Sequence, residues 1–83
     1  MDDSTVQPLS SVKHRQRALI VSLTGERQLQ GRLVDMGLHV GSEVEILRPS
    51  NGTSGPALVA SGETRLALGY GMASQILVAI DPT

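Results

Sequence analysis

The hydrophobic period changes several times along the 83-residue chain, and each change marks an element. Ala18-Leu19-Ile20-Val21-Ser22-Leu23 is apolar at nearly every position, which predicts a strand buried on both faces, between a core and a covering helix or partner. Thr24-Gly25 ends it. From Glu26 to Met36 the period lengthens: Leu29, Leu33 and Met36 recur at i, i+4 and i+7 and share one helical face. Glu26 opens this helix, where a carboxylate complements the positive end of the dipole. Gln28, Gln30, Arg32 and Asp35 form its wet side. Gly31 costs about 1 kcal/mol relative to Ala in a helix interior, and a close helix–barrel approach would explain it.

Gly37 stands one step past the last helical residue, the position of a Schellman-type cap in which Leu33 touches Leu38. Gly41 adds a second bend. Ser42 to Arg48 then alternates as a strand, with Val44 and Ile46 inward and Glu43 and Glu45 outward. Pro49 to Pro56 reads as a loop, with Asn51-Gly52 a hairpin-tip signal. Strands follow at Ala57–Ser61 and Thr64–Leu68, around a turn at Gly62-Glu63. Gly69 to Ser74 is a short connection with room for one helical turn, and Ile76–Ile80 is the last strand before Asp81-Pro82. Residues 1–8 read as a flexible tail and 9–81 as a single domain. The resulting class is mainly β: a small, partly closed barrel of about five strands, one helix after the first strand and a helical turn before the last. Closure matters because open strand edges invite pairing with other chains.

Composition narrows the function classes. No Cys is present, so neither a disulfide framework nor a thiolate metal site can form, which fits a reducing compartment. The formal net charge is -1, without the basic excess of nucleic-acid-binding domains. No apolar run approaches the ~20 residues that span a bilayer, and Met1-Asp2-Asp3-Ser4 is not a secretory signal.

Catalytic chemistry is hard to assemble from these residues. His14 and His39 lie on different segments, and Ser and Thr cluster in turns where their hydroxyls satisfy backbone groups. Neither a phosphate loop nor a dinucleotide-binding glycine pattern occurs. Lys13, His14, Arg15 and Arg17 read either as a basic patch for an acidic partner or as a solvated connection. Asp35 and His39 flank the glycine elbow, and imidazole with carboxylate suits zinc or ferrous iron. The alternative is an ordinary helix-end Asp and an exposed loop His. With only two ligands there, completion falls to His14 or to a second molecule, which makes a metal-bridged homodimer. No cofactor is required. For recognition, the candidate surface joins the elbow to the long loop, with Leu38, Asn51, Gly52 and Thr53 as its partner-binding residues; Leu38 alternatively only closes the cap.

Leu33-x-x-Met36-Gly37-Leu38-x-x-Gly41-x-x-Val44 resembles the signature of the FeoA family, small cytoplasmic proteins of bacterial ferrous iron transport. Arg17 to Leu23 before it and Ala73-x-x-Ile76-x-Val78 after it extend the likeness from about Leu9 to Ile80. The resemblance implies an SH3-like barrel and a non-enzymatic cytoplasmic accessory protein. Such a protein would bind the cytoplasmic region of the GTPase-containing iron transporter and modulate its activity, without inserting in the membrane itself. A similar module ends some metal-dependent repressors, so the alternative is a regulatory module; lacking a helix-turn-helix, it would need a DNA-binding partner chain. A third reading is a metal chaperone. The family usually carries charges in the turn before the last strand; Gly69, Gly71 and Met72 stand there instead. One Tyr and no Phe or Trp leave the core to aliphatic residues and exclude the aromatic groove of peptide-binding SH3 domains.

Overall fold

The computed structural model describes residues 6–49 and 55–80. Its strands are β1 (Val6–Pro8), β2 (Arg17–Leu23), β3 (Glu43–Arg48), β4 (Ala57–Ser61), β5 (Thr64–Leu68) and β6 (Ile76–Ile80). They form one antiparallel sheet in the order β1-β6-β2-β3-β4-β5, which leaves β1 and β5 as edges and the barrel unclosed. Helix α1 (Arg27–Asp35) joins β2 to β3, and α2 (Tyr70–Ser74) leads from β5 into β6. The mainly β architecture and the placement of both helices match the expectation from sequence. The core is entirely aliphatic and contains Ile20, Leu33, Leu38, Ile46, Ile76 and Val78 among its fully buried members.

The strand count differs. Val6–Pro8, expected as the end of a tail, pairs Val6 with Ala79, Gln7 with Val78 and Pro8 with Leu77. Proline has no N–H to donate, so it fits an edge strand. A 3-10 turn at Leu9–Ser11 follows and drives Leu9 and Val12 into the core, three residues apart on one face. That pair anchors the N-terminal strand. Residues 1–5 of the expected tail, residues 50–54 of the Pro49–Pro56 loop with its Asn51-Gly52 tip, and the Asp81-Pro82 stop lie outside the described residues.

β2 corrects another expectation. It is not buried on both faces: Ala18 and Ile20 are buried, whereas Leu19 is 42% and Val21 37% exposed. The uniform apolar run hides a parity change. Ile20 pairs with Val78 and Ser22 with the adjacent Leu77, so Val21 is an extra residue in a bulge facing β6. Beyond it Leu23 returns to the core side opposite Ile76.

Two further bulges close the β2–β3 ladder at its ends with one hydrogen-bond pattern. At one end Gly41 N–H donates to Ile20 O (2.9 Å) and Ile20 N–H to Ser42 O (2.9 Å). At the other, Arg15 N–H donates to Ile46 O (2.6 Å) and Ile46 N–H to Gln16 O (3.0 Å). In each, the first bulge residue has positive φ: 97° at Gly41 and 70° at Arg15. This is the G1-type arrangement, with glycine in one copy and arginine in the other.

Candidate functional site

The elbow between α1 and β3 is built as the sequence pattern predicts. Glu26 is the N-cap residue, Met36 the C-cap. Gly37 follows at φ 92°. Gly37 N–H donates to Val34 O (2.9 Å) and Leu38 N–H to Leu33 O (2.8 Å), the paired bonds of a Schellman cap. Leu33 and Leu38 are both fully buried. Leu38 is therefore excluded as a partner-binding residue: at 0% exposure it has no surface to offer, and its role is closing the cap on the core.

Sequence reasoning gave Ser42 no role, yet it holds the elbow together. It is the one buried polar residue among those described. Its Oγ accepts from His39 N–H (3.1 Å) and donates to Gly37 O (3.1 Å), while Ser42 N–H donates to His39 O (2.9 Å). A hydroxyl directly after the bulge glycine was the available signal. A second tie lies at the opposite end of α1. Thr24 N–H donates to Gln75 O (2.8 Å), and the Thr24 hydroxyl lies 2.9 Å from that oxygen and 2.8 Å from Gln75 Oε1. It locks the start of α1 to the end of α2.

His39 projects from this rigid elbow and is exposed. Its Nδ1 lies 2.9 Å from Val40 O. In the tautomer that donates this bond, Nε2 presents its lone pair to solvent, the arrangement that suits a metal-ligating imidazole. Asp35, the last residue of α1, and His14, between the 3-10 turn and β2, are exposed too. The three do not converge: no group of three or more His, Asp or Glu side chains placed to hold one metal ion occurs among the described residues. The structure therefore offers no ready three-ligand site from His39, Asp35 and His14 of one chain. Asn51, Gly52 and Thr53 lie outside the described residues.

Lys13, His14, Arg15 and Arg17 are all exposed. Surface depressions beside β3 and α1 are lined by Arg17, Glu43, Glu45 and Ala60, and by Glu26, Gln28, Leu29 and Arg32, with no histidine or hydroxyl among their lining residues. No helix among the described residues is long and apolar enough to cross a membrane.

The feature that the sequence pattern concealed is the outward face of β1, β6 and β2. Val6 pairs with Ala79 and Ala79 with Leu19, so the three side chains form one row on that face. Val21 stands beside the row, and Val40, 59% exposed, projects from the elbow that the bulge binds to Ile20. Toward β3 the face turns charged, with Glu43 opposite Leu19 and Glu45 opposite Arg17. The result is a partly exposed apolar strip bordered by charges.

The fold and this site define a small SH3-like module without a closed barrel, of the kind seen in iron-uptake proteins and at the ends of metal-dependent regulators. The model of the FeoA domain matches residues 7–80, and the chain belongs to the FeoA family. Among relatives, a protein of Methanocaldococcus jannaschii, named provisionally as Fe(2+) transport protein A, is 28% identical over 71 residues, 86% of this chain and 83% of that protein. The crystal structure of an iron uptake regulatory protein (FeoA) is 30% identical and superposes with a TM-score of 0.84 over 92% of this chain and 99% of the other. A manganese-dependent transcriptional repressor shares the fold alone, at 17% identity and a TM-score of 0.82 over 92% of this chain and 42% of the repressor.

Proposed function

We propose that this chain is a non-enzymatic cytoplasmic accessory protein of ferrous iron uptake that binds the cytoplasmic, GTPase-containing region of the iron transporter and modulates its activity. Membership of the FeoA family supports the iron-transport role. The observation that carries the binding reading is the partly exposed apolar row Val6, Ala79 and Leu19 with Val21 on the sheet, together with exposed Val40 on the elbow. The rim of Arg17, Glu43 and Glu45 supplies charges that set orientation rather than affinity. Asn51, Gly52 and Thr53 are kept as proposed partner-binding residues on sequence grounds alone.

Metal enters as a surface event in this reading. His39 through Nε2, with Asp35 nearby in sequence, offers part of a coordination sphere for zinc or ferrous iron; His14 is the other imidazole. A second molecule supplies the rest, so metal bridges two copies. The experiment is capture of the purified cytoplasmic region of the transporter, with Leu19→Lys and Val40→Lys as variants. Retained folding with lost capture supports the assignment, and undiminished capture by both variants refutes this face.

The likeness to the repressor favours a second reading, a regulatory module acting beside a DNA-binding chain. A co-purifying DNA-binding protein in place of the transporter would select it.

A further inference from the structure

The two edges of the sheet are unequal. β1 is three residues long and ends in Pro8, so it offers little to a further strand. β5 is five residues long, free of proline and of bulges against β4, and carries Arg65 as its one charge. Its pairing with β4 settles which way its backbone points. Ser61 opposes Thr64 across the two-residue Gly62-Glu63 turn, so that pair closes the hairpin with reciprocal hydrogen bonds. The ladder then alternates: Val59 with Leu66 and Ala57 with Leu68 are bonded pairs, while Ala60 with Arg65 and Leu58 with Ala67 are not. The N–H and C=O of Arg65 and Ala67 consequently point away from β4 along the open edge. Among the described residues no backbone partner reaches them.

We propose that the β5 edge is a self-association site, at which a second copy of this chain adds its own β5 antiparallel about a two-fold axis through Leu66. This is independent of the accessory reading above. The spacing of the outward groups fits the operator. An axis at Leu66 sets Arg65 opposite Ala67 of the second copy and Ala67 opposite its Arg65, giving two reciprocal pairs of hydrogen bonds. The same register keeps the two guanidinium groups out of direct opposition, so like charges do not oppose the pairing. Leu66, half-buried against the core, then faces Leu66 of the second copy in a close, non-hydrogen-bonded pair. The net charge of -1 per chain adds little repulsion. One short strand covers less than the ~1,200 Å² of a stable interface, so the dimer is weak, concentration-dependent and indifferent to metal.

The test is sedimentation of the chain with EDTA, over a hundredfold concentration range up to about 1 mM, where weak interfaces assemble. It is paired with amide hydrogen exchange at both ends of that range. The expected result is a monomer–dimer equilibrium, with Arg65 and Ala67 amides exchanging freely at low concentration and protected at high concentration. Ala67→Pro removes an outward N–H that β4 does not use, and should weaken the dimer at least tenfold. A strict monomer at the highest concentration, protection of both amides already in the monomer, or a dimer unchanged by folded Ala67→Pro would each overturn the proposal. Association seen only with zinc and abolished by EDTA would overturn it too, in favour of metal bridging. Should Ala67→Pro fail to fold, the exchange data on the unaltered chain decide alone.

Discussion

Gly37→Val isolates the cost of a backbone conformation from the cost of packing. Gly37 sits at φ 92°, yet a Cβ added there meets no atom within 4 Å. The Cβ itself clashes with nothing, so the leading penalty is conformational. Left-handed backbone costs an L-residue about 1–2 kcal/mol, and a branched Cβ carries it toward ~3. The alternative way to lose stability gives a similar ceiling. If the chain abandons the left-handed turn, the two cap bonds, Gly37 N–H to Val34 O and Leu38 N–H to Leu33 O, are lost. Each such bond contributes about 0.5–1.5 kcal/mol. The prediction is therefore a loss of roughly 1–3 kcal/mol, a fall in Tm of roughly 4–24 °C for a domain of this size. Urea unfolding should show a lower midpoint at constant slope. Gly37→Asn is the discriminating control, because Asn tolerates the left-handed region and should lose clearly less. A Gly37→Val melt within error of the unaltered chain would refute the cap. Equal damage from Asn and Val would refute the conformational origin of the cost.

Other substitutions probe separate parts of the account. Gly31→Ala should stabilise by about 0.5–1 kcal/mol, since its Cβ meets nothing within 4 Å, and a destabilised variant would contradict that open environment. Leu38→Ala should lose about 2–5 kcal/mol in thermal or urea unfolding as a core truncation; a neutral effect on stability with lost partner binding would restore it to the surface. His39→Ala should abolish zinc-induced association measured by sedimentation, and a bridged dimer that persists in both His39→Ala and His14→Ala would remove the metal assignment. Replacing residues 51–54 by a Gly-Ser linker should leave the melt unchanged and impair ferrous iron uptake in cells; uptake at the unaltered level would take that loop out of the contact.

Much of the architecture is legible because period and punctuation agree. Leu29, Leu33 and Met36 followed by Gly37 specify a helix and its cap, and the structure places Leu33 fully inside with Leu29 and Met36 packed against the core. Strands β3 to β6 lie within a residue of where alternation and turn residues put them. What escapes has physical reasons. Leu19 alternates outward in regular register and a bulge follows at Val21, neither announced by a residue type, so an exposed apolar row reads as a doubly buried strand. Leu9 opens a 3-10 turn that Val12 caps, too short for a helical stripe to be recognised. Gly31 carries no helix–barrel contact; its side faces open space. The site is less legible still, because Leu38 was ambiguous between cap and contact, and only burial decides between them. His14, Asp35 and His39 are adjacent in chemistry but not gathered in space.

The most direct test of the central claim is titration calorimetry of this chain against the purified cytoplasmic region of the ferrous iron transporter, with GTP hydrolysis followed in the same mixtures. Saturable binding is expected, lost in folded Leu19→Lys, with a changed rate of hydrolysis by the transporter and no hydrolysis by this chain alone. Absence of binding at concentrations where the chain is demonstrably folded, or hydrolysis by the chain itself, would contradict it.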